Sequence, residues 1–193
     1  MRVNQSPIVV VSGLPRSGTS LMMQMLVAGG LPALTDGQRT PDADNPRGYL
    51  ELERVKTLKS DSSWVASACG HAIKVIHLLL QDLPTVYEYD VLFMERDIGE
   101  VLKSQATMLS RSGRAGAPLP PERLAAVYQA QLAVTRQWLA ERACFRVHPV
   151  RYAELVARPA ETVDSIRNFL RAGHALDAAA MIAAVDPTLY RNR

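Results

Sequence analysis

The fold of this chain is decided by residues 8–20, which read Ile8-Val9-Val10-Val11-Ser12-Gly13-Leu14-Pro15-Arg16-Ser17-Gly18-Thr19-Ser20. The run of β-branched residues at its start predicts a strand over 7–12 that is buried on both faces of a parallel sheet. The apolar segment 19–28 after it predicts a core helix that ends at Gly29-Gly30. A plain turn would also accept the two loop glycines, but the order of strand, glycine loop and helix favours an anion site, since backbone N–H groups and the positive end of the helix dipole meet there.

The loop differs from an ATP-binding P-loop at one decisive position. It has the spacing G-x-x-x-x-G, but Thr19 stands where such loops have a lysine. Arg16 supplies a fixed positive charge inside the loop instead, with a planar fork of donors. Ser17, Thr19 and Ser20 add hydroxyl donors. The loop therefore predicts a diphosphate-like ligand and argues against an ordinary ATPase.

The composition indicates one soluble globular domain over residues 1–193. Hydrophobic residues make up 48% and charged residues 21%, and the net charge of +3 is too small to argue for a nucleic-acid partner. The two cysteines lack zinc spacing and are expected to be reduced thiols. With no membrane-length apolar window and no signal-peptide pattern, we expect a cytoplasmic protein without a membrane partner. Nothing in the sequence indicates an oligomeric state.

Strands and helices are predicted to alternate along the rest of the chain. Further strands are expected over 72–75, 91–94 and 145–148. Helices are expected over 49–60, 61–68, 77–83, 99–111, 121–142, 161–172 and 176–185, with loops over 31–48 and 112–121. This alternation predicts an α/β fold, a P-loop-like three-layer sandwich with a central, mostly parallel sheet.

A second candidate anion site lies at the end of the third predicted strand. Arg96 follows that strand, and Ser104 lies eight residues further on, in the next helix. Parallel sheets present ligand-binding groups at the carboxyl ends of their strands, so both side chains are expected to reach one phosphate. Arg96-Asp97 is also compatible with a structural ion pair, but the anion loop earlier in the chain favours a binding role.

These two motifs resemble a known enzyme family. The loop from Gly13 to Ser20, with Leu21-Met22 after it, resembles the 5′-phosphosulfate loop of sulfotransferases that use 3′-phosphoadenosine 5′-phosphosulfate (PAPS). The form with arginine in the loop is closest to the tyrosylprotein and bacterial branches. Arg96-Asp97 with Ser104 resembles the 3′-phosphate motif of the same family. Further segments that resemble family motifs are 45–51, 74–77 and 150–155, although Ala153 stands where the last pattern has glutamate.

The resemblance implies a PAPS-dependent sulfotransferase that transfers a sulfuryl group to a hydroxyl or amine of a small-molecule or peptide acceptor. It implies 3′,5′-ADP as the product and no metal requirement. The tryptophan-bearing C-terminal loop of cytosolic members is absent, and the basic segment 189–193 is a candidate replacement. The implied donor-binding residues are Pro15, Arg16, Ser17, Gly18, Thr19, Ser20, Arg96, Ser104, Tyr152 and Arg191.

The resemblance also implies catalytic roles. Arg16 would stabilise the bridging oxygen as the bond to sulfur breaks, and Lys74 would help to stabilise the transferred group. The general base that the acceptor needs stays open between Glu51, His77 and Glu53. Two other functions also stay open: a P-loop kinase or NTPase that uses ATP and magnesium, and a non-catalytic nucleotide-binding protein.

Overall fold

A central sheet of four parallel strands organises the chain. The computed structural model describes residues 6–42, 45–113, 116, 119–170, 175–186 and 188. The strands are β1 (Ile8–Gly13), β2 (Ala72–Lys74), β3 (Tyr89–Glu95) and β4 (Phe145–Arg151). Their order in the sheet is β2-β1-β3-β4, and every neighbouring pair is parallel. This confirms the predicted α/β fold with its parallel sheet.

Helices cover both faces of the sheet. The α-helices are α1 (Thr19–Ala28), α2 (Ile98–Ser112), α3 (Pro121–Ala140), α4 (Tyr152–Ala157), α5 (Pro159–Phe169) and α6 (Ala178–Ala183). Three 3₁₀ helices span Glu53–Thr57, Ser63–Ala68 and His77–Asp82. Among the helices described, none is long and apolar enough to cross a membrane.

The alternation along β1 divides the interior into two hydrophobic cores. Val9 and Val11 pack with buried side chains of α1, α4, α5 and α6, and we call this the α1 core. Ile8 and Val10 point to the opposite face, where they pack with the three 3₁₀ helices and the end of α3, and we call this the 3₁₀ core. Both faces of β1 are therefore buried, as its run of β-branched residues predicts.

The strand register brings the carboxyl ends of the strands to one edge. Val11 lies opposite Lys74 of β2 and Leu92 of β3, and Gly13 lies opposite Met94. The chain segments that leave β1, β2 and β3 therefore emerge side by side. Ligand sites in parallel sheets form at such an edge.

The prediction of a helix over 49–60 is wrong. Only Glu53–Thr57 forms a helical turn, and Leu50 has a left-handed backbone with φ of 50°. The backbone before that turn bonds to other parts of the chain: the Tyr49 carbonyl accepts from the Lys74 amine, and the Glu51 carbonyl accepts from the amide of Asp36. Long-range partners replace the i→i−4 ladder in this segment.

The observed boundaries of several other elements differ from the predicted ones by a few residues. β3 and β4 are each longer than predicted, and β4 continues directly into α4, a helix that the sequence prediction lacks. The helices expected over 61–68 and 77–83 are both 3₁₀. The helix expected over 161–172 begins earlier, at Pro159, and ends at Phe169.

Candidate functional site

A cavity of about 430 Å³ opens at the carboxyl edge of the sheet. Its walls come from the loop after β1, the start of α1, the end of β2, the residue after β3, part of α2 and the segment 45–56. Every element in this list either leaves the sheet edge or packs over it. The cavity thus occupies the position at which parallel sheets bind ligands.

Two glycines of the loop are required by close contacts. Gly13 has φ of 146°, and a Cβ there would lie 2.6 Å from the Ser17 hydroxyl and 2.7 Å from the Met94 carbonyl oxygen. Gly18 has φ of 103°, and a Cβ there would overlap the ring of Tyr152. Arg16 also has a left-handed backbone, with φ of 72°. The loop is therefore held in a tight shape that larger residues at these two glycines would disturb.

The start of α1 has the polar groups that an anion needs. No side chain caps this helix in the described part of the chain, and its first turn carries no acidic residue. Thr19 and Ser20 line the cavity, as does Gly18. The Ser17 hydroxyl is buried and has no hydrogen-bond partner among the described residues. An orphaned donor beside an uncapped helix start fits a phosphate or sulfate oxygen.

Arg16, Arg96 and Ser104 meet at this cavity. The Arg16 Nε donates to the Ser104 hydroxyl oxygen over 3.1 Å, although the two residues are 88 positions apart. Arg96 Nη1 donates to the Arg16 carbonyl oxygen over 3.2 Å. Ser104 is buried, and all three residues line the cavity. The structure therefore brings together two predicted anion-binding motifs that lie 80 positions apart in the sequence.

Arg96 is oriented by Glu100 and Tyr152. Its Nε donates to Glu100 Oε2 over 2.8 Å, and its guanidinium carbon lies 4.6 Å from the Tyr152 ring centroid. Burial, above all, raises the pKa of the Tyr152 hydroxyl. Asp97 instead caps α2, because its carboxylate accepts from the Glu100 amide. Arg96 thus forms an ion pair with Glu100, which the i, i+4 spacing could have indicated.

Lys74 connects β2 to the loop and to the segment after residue 48. Its Nζ donates to the Ser20 hydroxyl at 2.9 Å, to the Tyr49 carbonyl at 2.6 Å and to Glu51 Oε1 at 3.2 Å. Burial lowers the pKa of Lys74 to about 8, and the nearby Glu51 carboxylate opposes part of that change. A buried amine beside the loop at 13–20 gives the cavity a titratable cation.

Glu51 lines the cavity between two cations. Arg39 Nη1 lies 3.1 Å from each of its carboxylate oxygens, and Lys74 contacts one of them. The Arg39 guanidinium also stacks on the Tyr49 ring, 3.3 Å from its centroid, and the Tyr49 hydroxyl donates to Asp42. Burial, with the bond to Asp42, raises the pKa of Tyr49. The sequence offered no signal for Arg39, since it lies in an irregular loop with no local pattern.

The other two candidate bases, His77 and Glu53, differ from each other in position. His77 is only 2% exposed, and its ring faces α3, with Nε2 lying 3.2 Å from Gln131 Oε1. His77 does not line the cavity, so it is not in the position that a general base requires, although the sequence made it a candidate. Glu53 lines the cavity, and its carboxylate is paired with Lys56 at 2.6 Å.

The remaining sequence candidates divide in two. Pro15 lies on the cavity wall, while Arg191 lies outside the described residues. Among the residues that the structure describes, no three His, Cys, Asp or Glu side chains are grouped as metal ligands would be.

Comparison with known proteins identifies the fold. No protein-family model matches this chain, and no curated protein is detectably similar to it in sequence. A solved structure described as a sulfotransferase domain from the curacin biosynthetic pathway aligns with a TM-score of 0.51. The alignment covers 97% of this chain and 90% of that domain, at 15% sequence identity. The chain therefore has a sulfotransferase-type fold.

Proposed function

We propose that this protein is a PAPS-dependent sulfotransferase that transfers the sulfuryl group to a hydroxyl or amine acceptor. The observation that carries the proposal is the convergence of Arg16, Arg96, Ser104 and Lys74 on one cavity at the carboxyl edge of the sheet. The arginine in the loop is the feature that supports the bacterial and tyrosylprotein-like type over the cytosolic one.

The described residues fit a donor with two separated anionic groups. The loop over 15–20 and the start of α1 suit a 5′-phosphosulfate, and the orphaned Ser17 hydroxyl supplies one unused donor. Arg96 and Ser104 suit the 3′-phosphate. Tyr152 lies beside both groups and offers an aromatic face to a base or a sugar.

The catalytic roles follow from the contacts. In the transfer, the acceptor oxygen or nitrogen gives its proton to a base and bonds to sulfur, while the bond from sulfur to the 5′-phosphate oxygen breaks and its electrons stay on 3′,5′-ADP. We assign the base to Glu51, which lines the cavity, and we do not include His77. Arg16 is a cation inside the loop and Lys74 is a cation beside it; both would stabilise the charge that develops on the leaving oxygen and the transferred group.

One contact is compatible with the ATP-dependent alternative as well. Lys74 Nζ reaches the Ser20 hydroxyl at 2.9 Å, so a lysine contacts the loop even though the loop itself lacks one. A cation at this place could also stabilise the charge of a transferred phosphoryl group. The two functions make opposite demands on magnesium and on the 3′-phosphate.

Nucleotide binding separates these functions. We expect 3′,5′-ADP to raise the melting temperature in EDTA, and 5′-ADP to raise it much less at the same concentration. Stabilisation by Mg-ATP that equals or exceeds that by 3′,5′-ADP would favour the kinase or NTPase. Binding of 3′,5′-ADP without transfer of ³⁵S from labelled PAPS to any of a panel of hydroxyl and amine acceptors would favour the non-catalytic protein.

Arg96→Gln tests the 3′-phosphate site directly. We expect this variant to lose the preference for 3′,5′-ADP over 5′-ADP. Arg136→Gln is the matched control, because Arg136 is an exposed arginine that pairs with Glu95 and lies outside the cavity wall. An equal loss of both nucleotides in Arg96→Gln would mean that Arg96 supports the loop rather than the 3′-phosphate.

A further inference from the structure

The cavity lies across the sheet edge and reaches both hydrophobic cores. Leu21 and Tyr152 line it and pack with the α1 core. Leu52, Val55 and Leu79 also line it, but they pack with the 3₁₀ core on the opposite face of the sheet. Arg96 stacks on Tyr152, so the proposed 3′-phosphate site lies at the end of the cavity that borders the α1 core. The end at the 3₁₀ core is therefore available for the acceptor.

The wall at this second end has an apolar strip beside its charged side chains. The strip is formed by Leu52, Val55, Val75, Ile76 and Leu79, of which Val55 and Val75 are buried. Ile76 is 40% exposed, and Leu52 and Leu79 are partly exposed. Binding of an apolar ligand over exposed apolar side chains is favourable, because it removes apolar surface from water.

The charged side chains at this end are already paired. Arg39 and Lys74 both contact Glu51, and Lys56 contacts Glu53 at 2.6 Å. Only Lys74 among these side chains is buried, so a charged acceptor that broke its pair with Glu51 would leave a buried charge without its partner, which is costly. The exposed pair of Lys56 and Glu53 contributes little to this selection.

The charge of the whole cavity points the same way. Its described wall carries six cationic side chains and three carboxylates, a formal excess of three positive charges. The donor proposed above brings about four negative charges: up to two from the 3′-phosphate, one from the bridging 5′-phosphate and one from the sulfate. The donor alone therefore uses the positive excess, and an anionic acceptor would add charge without a counterpart.

We propose that the acceptor is an uncharged hydroxyl compound with an apolar carbon skeleton, bound against Leu52, Val55, Ile76 and Leu79 with its hydroxyl beside Glu51. This inference rests on the proposed sulfotransferase function and names the substrate class of the same site. It excludes acidic peptides, phosphorylated compounds and sugars as preferred acceptors.

A matched probe series tests the substrate class. We use 2-naphthol as the uncharged probe, 6-hydroxy-2-naphthoate as its anionic analogue, tyramine as a cationic phenol and glucose as a polar hydroxyl compound. Binding is followed by calorimetry with and without saturating 3′,5′-ADP, and transfer is followed with labelled PAPS. We expect 2-naphthol to exceed each of the other three by about tenfold or more in affinity and in kcat/KM.

Two variants on one 3₁₀ helix and its flank locate the subsite. Ile76→Gln changes an exposed residue of the cavity wall, and Leu78→Gln changes a residue of similar exposure, 47%, that lies outside the wall. We expect Ile76→Gln to weaken 2-naphthol binding about fivefold and Leu78→Gln to leave it unchanged. Both variants should keep the melting-temperature increase that 3′,5′-ADP gives the unmodified protein, which also shows that they are folded.

The possible outcomes separate the two proposals. If 2-naphthol binds with the expected pattern but 3′,5′-ADP does not bind, the apolar subsite stands and the sulfotransferase function is wrong. If 3′,5′-ADP binds but an analogue matches or exceeds 2-naphthol, the proposed acceptor class is overturned and the donor site stands. Equal effects of Ile76→Gln and Leu78→Gln would also overturn it.

Discussion

Arg16 and Ser104 are joined by a hydrogen bond of 3.1 Å between the guanidinium Nε and the hydroxyl oxygen. The bond connects the loop after β1 to the second turn of α2, and Arg96 adds a bond to the Arg16 carbonyl. The loop that would hold the 5′ end of the donor is thus directly coupled to the residues that would hold its 3′-phosphate. Changes at one of these groups should be measurable at the other.

Ser104→Ala should weaken 3′,5′-ADP binding about tenfold, because it removes a hydroxyl donor to the proposed 3′-phosphate and releases Arg16. Binding of 5′-ADP should fall by a smaller factor, because only the release of Arg16 in the loop affects it. Calorimetric titration of both nucleotides measures the difference, and Ser110→Ala, an exposed position of the same helix, is the control. A parallel loss of both nucleotides would assign Ser104 to loop support alone.

Activity should fall on the alkaline side near the pKa of Lys74. Burial lowers this pKa to about 8, so the amine is protonated below that pH and neutral above it. If the cationic form stabilises the transferred group, kcat/KM should decrease as the pH rises through about 8. The pH profile of kcat/KM is the measurement, since it reports ionisations of the free enzyme.

Lys74→Arg should move that alkaline decrease to higher pH, because a guanidinium stays charged. Lys56→Arg, an exposed lysine paired with Glu53, is the matched control and should leave the profile in place. An unchanged alkaline limb in Lys74→Arg would show that another group is responsible.

Glu51→Gln should lower turnover about 100-fold, because it removes the proposed base, while 3′,5′-ADP binding is retained. His77→Asn should lower the melting temperature, because it disturbs the buried contact with Gln131, and should leave turnover nearly unchanged. Glu53→Gln tests the third candidate. The reverse order of turnover losses would transfer the base from Glu51 to one of the other two.

Gly18→Ala should destabilise the protein by about 2–4 kcal/mol, since the new Cβ combines a left-handed backbone with overlap of the Tyr152 ring. Gly30→Ala is a matched control: its φ of 94° is similar, but nothing lies within 4 Å of the added Cβ. It should lose only about 1–2 kcal/mol. Urea denaturation gives the free energy of unfolding of both variants. Equal losses would mean that the Tyr152 ring moves aside for the new Cβ without destabilising the protein.

Local patterns were enough to predict the elements with the strongest sequence signals. The β-branched run gave β1, and the apolar segment with its closing glycines gave α1, within a residue or two of the structure. The helix prediction over 49–60 was wrong because the backbone of this segment bonds to Lys74 and Asp36, which lie far away in the sequence. The spacing of apolar residues within a segment contains no information about such distant partners.

The residues of the candidate site also divide into those with a local sequence signal and those placed by distant partners. Arg16, Arg96 and Ser104 were selected from two short motifs, and all three line the cavity. Arg39 and Glu100 were not predicted, because neither belongs to a motif. Arg39 is at the site through its contact with Glu51, and Glu100 through its contact with Arg96. His77 was selected by its residue type, but the turn of its 3₁₀ helix directs the ring towards α3.

The sequence by itself determined the composition of the loop at 13–20: two glycines, three hydroxyl side chains and Arg16, placed between a β-branched strand and an apolar helix, because glycine spacing, β-branching and side-chain charge are local properties. Only the tertiary structure decided which groups share the cavity. Parallel pairing brings the ends of β1, β2 and β3 to one edge, so that Ser104 contacts Arg16 and Lys74 contacts Ser20 and Glu51. Those contacts depend on strand order and register, which are set by the packing of the whole chain and are written in no single segment.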